Sequence, residues 1–217
     1  SQDEDIGSRA VIRNARELVW YPSEVDTSIR TGWFYHPEED TDVRTAGELL
    51  DIYLDAVGAN ASLLLNIPPD THGRIAAPDC ASLAELGAKI RQIFADSVTE
   101  KAAITADSAI AQHPITQAVD GMADTYWQAA YGQESDTITL NFPKPQKVSC
   151  VVLGEHLPTG QRIESGEIWA DGSKASEFTV VGHKRICRFA PVDVLTLTIK
   201  ITASRTEPTL RLLEVYQ

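Results

Sequence analysis

The segment WYPSEVDTSIRTGWFYHPEED, residues 20–40, concentrates side chains that can bind and cleave sugars. It holds two tryptophans, two tyrosines, a phenylalanine, a histidine, an arginine and several carboxylates. Aromatic rings stack on the C–H face of a pyranose, while carboxylates and arginine bind its hydroxyl groups. The composition of the segment therefore predicts a sugar-binding surface.

The elements that must position this surface alternate between helix and strand. Thr45 and Glu48 form a T-x-x-E capping box, and apolar residues recur behind it at helical spacing until Gly58. The apolar run SLLLNIPP (62–69) predicts a strand buried on both faces, as in a parallel sheet. Asp79 is the predicted N-cap of a second amphipathic helix. This order is typical of an α/β barrel or a doubly wound sheet.

The chain changes to a period of two beyond residue 99, which predicts an antiparallel β-sandwich. The small, polar segment 100–109 is the expected junction between the two halves. Seven runs read as short strands: 136–142, 147–155, 162–170, 177–182, 185–190, 194–202 and 210–216.

The charge composition argues against some classes of binding partner. The formal net charge of −12 argues against nucleic acid, whose phosphates bind Lys and Arg, and is compatible with a neutral glycan. No apolar run approaches the roughly 18 residues that span a bilayer, so no membrane span is expected. Cys80, Cys150 and Cys187 form no C-x-x-C pair; buried free thiols are the first interpretation and a Cys150–Cys187 bridge is the alternative.

Residues 20–40, the stretch LLDIYLDAVGANASLLLNIPPDTHGRI (49–75) and the following helix resemble the C-terminal end of the catalytic domain of α-L-fucosidases, glycoside hydrolase family 29. The order W-x-P-x-E-x-D-x-S-I-R-x-G-W-F-Y-H, then L-L-L-N-I-P-P, is that of the family. The second half resembles a galactose-binding or discoidin-type sandwich, through AVDGMADTYWQA (118–129), EHLPTGQRI (155–163) and TASRTEPTLRLLEVY (202–216).

The resemblance implies a fold in two parts: the C-terminal portion of a (β/α)₈-type barrel (1–98) and a jelly-roll β-sandwich (99–217). It implies hydrolysis of terminal α-L-fucose from glycans with retention, without a cofactor, in the periplasm or outside the cell. The family's nucleophilic aspartate lies upstream of residue 20 and has no counterpart here, so we expect this chain alone to be inactive. Its implied partners are a fucosylated glycan and the missing N-terminal barrel portion. The alternative is a non-catalytic carbohydrate-binding module that acts through the sandwich.

The catalytic candidate is Glu24, which follows Trp20-Tyr21-Pro22 at an expected strand end, where barrel enzymes place their catalytic groups. As general acid/base it would protonate the departing oxygen and later activate water. The alternative is a structural carboxylate that pairs with Arg30. We expect Asp26 to hold the loop, by accepting backbone N–H groups or by pairing with Arg30.

Four residues are candidates for contact with substrate: Arg30, Trp33, His36 and Asn66. Trp33 would stack on a sugar ring, and its alternative is a core position beneath the loop. Asn66, at the end of LLLN, would point to the same rim or order the loop. We expect both Phe34 and Tyr35 to pack against other side chains.

In the second half, Asp120 and Asp124 lie in a D-G-x-x-D turn; a plain turn is the first interpretation, because two carboxylates are few, and a structural calcium ion is the alternative. Tyr126 and Trp127 are adjacent, so in a strand they face opposite sides and one is expected in the core. The other is a candidate for binding sugar. Arg162 is expected to lead into a strand and to bridge the two halves.

Overall fold

The computed structural model describes residues 12–17, 19 and 22–217. Its first half is a βαβ unit followed by a second helix. Strand β1 (Glu24–Ser28) and strand β2 (Ser62–Asn66) pair in parallel. Helix α1 (Ala46–Val57) connects them and packs on β2, and helix α2 (Ala77–Ile93) packs against α1. A small core joins them, with Ile29, Leu49 and Leu86 buried.

Helix α1 begins and ends as predicted. The Thr45 hydroxyl accepts from the backbone N–H of Glu48, whose carboxylate in turn accepts from the backbone N–H of Thr45 at 2.8 Å. Gly58 is the C-cap. The capping box is therefore confirmed.

Two expectations about this half are wrong. Helix α2 begins after Ala76, and Asp79 is its third residue, buried rather than serving as N-cap, because a long-range ion pair takes its carboxylate. Strand β2 is not buried on both faces, since Leu64 is 52% exposed. In the described part of the chain β2 pairs only with β1, so its other edge has no strand partner.

The second half is antiparallel, as predicted. The strands are β3 (Ala103–Ala106), β4 (Trp127–Gln128), β5 (Asp136–Gly154), β6 (Ile163–Ala170), β7 (Ser173–Phe178), β8 (Arg185–Ser204), β9 (Thr209–Leu210) and β10 (Leu212–Tyr216). One sheet has the order β10-β5-β8-β6-β7, with β3 also on β5, and β4 pairs with β9. Its hydrophobic core surrounds Trp127, whose indole N–H donates to the Ser108 carbonyl at 3.0 Å.

Strand lengths differ from the sequence pattern. The predicted runs 136–142 and 147–155 form one long strand, β5. The predicted runs 185–190 and 194–202 likewise form one strand, β8. The register of β5 against β8 shifts between Asn141 and Gln146, where prolines interrupt the alternation of buried and exposed residues. A bulge-like irregularity in the ladder lets the strand continue past the prolines. The predicted junction 100–109 is wrong, because β3 lies within it and pairs with β5.

The three cysteines are free. Cys150 lies opposite Arg188, while Cys187 lies opposite Val151. Since neighbouring residues of a strand point to opposite faces, the thiols of Cys150 and Cys187 lie on opposite faces of the sheet. The register therefore confirms buried free thiols at these two positions and rejects the bridge between them.

The two halves meet through backbone and side-chain contacts after α1 and α2. The Ile186 N–H donates to the Gly58 carbonyl at 3.0 Å, and the His183 N–H donates to Asn60 Oδ1 at 2.6 Å. Phe94 packs edge-on against Tyr216, with ring centroids 5.3 Å apart. The contact surface is thus formed by the ends of the helices and by β8 and β10.

Arg162 does not bridge the halves, contrary to expectation. Its guanidinium donates to the carbonyls of Glu207 at 2.8 Å and Thr159 at 3.4 Å, both within the β-rich half. The expectation that it leads into a strand is confirmed, because β6 begins at the next residue.

Candidate functional site

The candidate site residues lie at two ends of one strand. Glu24 is the first residue of β1 and lies opposite Ser62, whereas Ser28 is the last and lies opposite Asn66. At about 3.3 Å per residue, the two ends are about 13 Å apart along the strand. We expected Glu24 at the end of a strand, and the structure places its exposed side chain at the beginning, because pairing with β2 starts there. Its role as acid stays a prediction.

The carboxyl end of β1 carries a polar network that shapes the loop after it. The Asn66 amide donates to Ser28 Oγ at 3.1 Å and to the Trp33 carbonyl at 3.0 Å. The Ser28 hydroxyl in turn donates to the Gly32 carbonyl at 2.7 Å. Asn66 therefore orders the loop, the alternative left open by the sequence, and its contact with substrate stays a prediction.

Arg30 lies beneath this loop. Its fully buried guanidinium donates to Asp79 Oδ2 at 3.1 Å, to Asp40 Oδ1 at 2.7 Å and to the His36 carbonyl at 3.3 Å. It also lies 4.8 Å from the centroid of the Tyr35 ring. Direct contact of Arg30 with substrate, which the sequence suggested, does not fit this burial. The ion pairs of Arg30 are thus with Asp40 and Asp79, and neither of the pairings considered as alternatives, with Glu24 and with Asp26, is formed.

The loop presents its aromatic side chains outward. Trp33 is 52% exposed and Phe34 is 78% exposed, while the His36 side chain is also exposed. The core position considered for Trp33 is therefore wrong, and so is the expected packing of Phe34. An exposed indole held by a hydrogen-bonded backbone is a suitable surface for stacking on a sugar ring.

Sequence reasoning missed both carboxylates that hold Arg30. Asp40 is 10 residues away and Asp79 is 49 residues away. No spacing rule links such positions, and Asp79 carried a misleading signal because an aspartate near the start of a helix usually caps it.

Comparison with known proteins identifies relatives over both halves of the chain. The family described as Alpha-L-fucosidase matches residues 9–92. Alpha-L-fucosidase 1 of Arabidopsis thaliana is 32% identical over 209 residues, which cover 91% of this chain and 41% of that protein. The chain is a relative of the α-L-fucosidases. Because that alignment extends well beyond residue 92, the relationship includes the β-rich half.

Solved fucosidase structures share the fold. A Ruminococcus gnavus fucosidase of glycoside hydrolase family 29, in complex with fucose, is 27% identical with a TM-score of 0.84, covering 91% of this chain and 41% of that one. A glycoside hydrolase 29 family member from an unknown rumen bacterium is 27% identical with a TM-score of 0.72, covering 91% of this chain and 33% of that one. This fucosidase relative thus spans less than half the length of the proteins it matches.

The D-G-x-x-D turn of this fucosidase relative, for which calcium was the alternative interpretation, is closed by its own hydrogen bonds. Asp120 accepts from the Met122 N–H at 2.9 Å and from the Thr125 hydroxyl through both carboxylate oxygens, at 2.9 and 2.8 Å. Asp124 is exposed. Among the described residues, no group of three or more His, Cys, Asp or Glu is placed to hold a metal ion. The geometry fits the plain turn better than a calcium loop.

Tyr126 cannot offer a face to a sugar in this arrangement. His113 stacks on one side of its ring at 3.9 Å between centroids, and His156 stacks on it at 3.8 Å. Its neighbour Trp127 is fully buried, which confirms that one of the two is core. Since both faces of the phenol ring are covered, any binding of sugar by the β-rich half must use other residues.

Proposed function

We propose that this chain is the C-terminal part of an enzyme that removes terminal α-L-fucose from glycans with retention at the anomeric carbon. The observation that carries the proposal is the 32% identity to an Arabidopsis α-L-fucosidase across 91% of this chain. The structure supports it with an exposed Trp33 whose backbone is fixed by Asn66. The fold we propose for the whole is a (β/α)₈-type barrel followed by a sandwich.

A retaining glycosidase needs two carboxyl groups about 5–5.5 Å apart, one as nucleophile and one as acid/base. In the proposed mechanism Glu24 protonates the departing glycosidic oxygen, and its carboxylate then activates the water that releases fucose. The nucleophile comes from the part of the enzyme outside this chain. Trp33 stacks on a sugar ring, while Arg30 holds the loop from below.

The exposed apolar side chains of the parallel pair support the proposal that this unit belongs to a larger barrel. Val25 on β1, Leu64 on β2 and Ile75 after β2 all expose apolar surface. Folded proteins seldom leave a parallel sheet uncovered, because both its faces and its edges need partners. We propose that strands and helices from the rest of the enzyme cover these side chains and form a pocket next to Trp33.

The test compares variants of the longer protein that contains this sequence, assayed on an aryl α-L-fucoside. Glu24→Gln should reduce turnover by about 10²-fold or more, the loss expected for a general acid. Asp26→Asn, two residues along the same strand and also exposed, is the matched control and should retain most activity. Proton NMR of the first product should show the α-anomer. Undiminished turnover in Glu24→Gln would remove Glu24 from the mechanism, and the β-anomer would exclude retention.

A further inference from the structure

The chain between β1 and α1 forms a loop, residues 29–44, that is closed at its base and tied across its middle. The Arg44 N–H donates to the Ile29 carbonyl at 2.9 Å, which joins the two ends. Further along the loop, the Thr31 hydroxyl donates to Asp42 Oδ2 at 3.0 Å. A loop whose ends meet and whose own side chains hold it together is a compact unit rather than a free connection.

The tip of this loop, residues 32–36, carries the candidate substrate contacts Trp33 and His36. Its backbone is held on two sides. The Asn66 amide donates to the Trp33 carbonyl at 3.0 Å, and Nη1 of Arg30 donates to the His36 carbonyl at 3.3 Å. Both bonds end on backbone carbonyls, and the side chains of Trp33 and His36 are exposed. The position of the tip therefore depends on Asn66 and on Arg30.

Asp40 orients Arg30 from within the loop. Its Oδ1 accepts from Nη2 of Arg30 at 2.7 Å, which is shorter than the 3.3 Å bond from Arg30 to the His36 carbonyl. Its Oδ2 accepts a long hydrogen bond from the Tyr35 hydroxyl at 3.5 Å, and the Tyr35 ring lies 4.8 Å from the guanidinium. Asp40 thus contacts both groups that lie beneath the tip, the guanidinium and the phenol.

The two carboxylates that bind Arg30 differ in burial. The side chain of Asp79 is completely buried, whereas that of Asp40 is 38% exposed. Loss of the Asp40 carboxylate leaves the buried charge paired with Asp79, so we expect the fold to persist. The guanidinium nevertheless loses the contact that directs it toward the loop. A surface that is already held in its bound conformation binds more tightly, because less freedom is lost on binding.

We propose that Asp40 is a positioning residue for sugar binding, which acts through Arg30 and Tyr35 to hold Trp33 where its indole stacks on the sugar ring. This inference rests on the proposed function, since it takes Trp33 as a sugar contact of the fucosidase. It gives Asp40 no contact with substrate and no part in proton transfer. The expected effect of losing Asp40 is a loss of affinity that depends on the presence of the indole.

A double-mutant cycle in the longer protein that contains this sequence tests the inference. Calorimetry with L-fucose gives the affinity, and turnover of an aryl α-L-fucoside gives KM and kcat. Asp40→Ala should weaken L-fucose binding by about tenfold and raise KM in proportion, with kcat changed by less than about threefold. In the Trp33→Ala background, adding Asp40→Ala should change the affinity by less than about twofold.

Two further variants serve as comparisons. Asp40→Asn keeps an acceptor oxygen for Arg30 and should lose less affinity than Asp40→Ala. Asp55→Ala, at an exposed position on α1, is the matched control and should bind L-fucose like the unchanged protein.

Three outcomes would overturn the proposal. The first is an equal loss of affinity from Asp40→Ala with and without the Trp33 indole, because a general loss of structure acts alike in both backgrounds. The second is a fall in kcat at unchanged KM, which would indicate fewer folded molecules. The third is undiminished affinity in Trp33→Ala. Absence of turnover in the unchanged protein would overturn the fucosidase proposal and this inference with it, whereas turnover with an additive cycle would overturn this inference alone.

Discussion

Arg30 and Asp79 form an ion pair in which both side chains are completely excluded from solvent. Nε donates to Oδ2 at 3.1 Å, and Nη2 lies 3.1 Å from Oδ1. The pair connects the loop that carries Trp33 to the first turn of α2, where the helix dipole also favours a carboxylate. It fixes the aromatic surface to the helix layer.

Breaking this pair should lower stability strongly. Among the described residues, Asp79→Asn leaves the buried Arg30 charge with Asp40 as its only partner of opposite charge, so the free energy of unfolding should fall by about 3–5 kcal/mol. Urea denaturation followed by circular dichroism measures the change. The exposed Glu85–Lys89 pair on α2 gives the control, and Glu85→Gln should cost less than about 1 kcal/mol. Equal losses of unfolding free energy in the two variants would show that burial does not determine how much an ion pair contributes to stability.

Glu155 should be essential to the fold of the β-rich half. Its fully buried carboxylate accepts from the backbone N–H groups of Arg162, Ile163 and Gly182 at 2.7–2.9 Å. Burial raises its pKa, although the three amides oppose that shift. Glu155→Gln replaces one acceptor oxygen by an NH2 donor that faces a backbone N–H group, so a hydrogen bond is lost. The free energy of unfolding should therefore fall by at least about 2 kcal/mol. Glu100→Gln, at an exposed site, should leave the denaturation midpoint unchanged; a comparable loss there would contradict the argument.

Gly182 should tolerate no larger residue. Its φ is +59°, and an added Cβ would lie 2.4 Å from Nδ2 of Asn60 across the contact between the halves. Gly182→Ala should therefore cost more than Gly132→Ala, where φ is +82° and nothing lies within 4 Å of the added carbon. Thermal denaturation of both variants gives the comparison. Adding Asn60→Gly, which removes the side chain and suits the φ of +70° at that position, should recover part of the loss only for Gly182→Ala, and equal melting temperatures for the two glycine variants would refute the clash.

His156, which stacks on Tyr126, should make the free energy of unfolding depend on pH. Burial lowers the pKa of His156, and the charges of His113, Arg162 and Arg211 act in the same direction, against Asp124. Because the folded pKa lies below the unfolded value, the unfolded chain takes up the proton first. The free energy of unfolding should thus decrease as the pH falls through the unfolded pKa of about 6.5.

His156→Phe tests this dependence, since phenylalanine keeps a ring on Tyr126 but cannot be protonated. Urea midpoints measured from about pH 7.5 to about pH 5.5 should fall less steeply in this variant than in the unchanged chain. His72→Gln, at an exposed loop position, is the control and should keep the original slope. Identical slopes for all three proteins would mean that His156 does not titrate in this range.

The thiols should differ sharply in reactivity. Cys80 is exposed, whereas burial raises the pKa of Cys150 to about 11 and that of Cys187 to about 12. A thiol reagent such as dithionitrobenzoate should modify one cysteine rapidly in the folded protein and all three after unfolding, because the thiolate is the nucleophile. Cys80→Ser should abolish the rapid phase. A Cys150–Cys187 disulfide found by mass spectrometry would contradict the register of β5 and β8.

Local rules allowed much of the fold to be predicted. The capping box at Thr45 and Glu48, the stop at Gly58, the strand 62–66 and the antiparallel second half all follow from signals within a few residues. The motif around residues 20–40 likewise led to the fucosidase relationship, because a long ordered set of residue types is specific even without coordinates.

What the sequence determined by itself was the type of most elements, the aromatic segment and the expectation that either Tyr126 or Trp127 lies in the core of the second half. The tertiary structure alone decided that Arg30 binds Asp79, that Glu24 begins β1, that Cys150 and Cys187 face apart and that two histidines cover Tyr126. The physical reason is that periodicity specifies which face a side chain takes, whereas its partner depends on strand register and on packing between residues far apart in the chain.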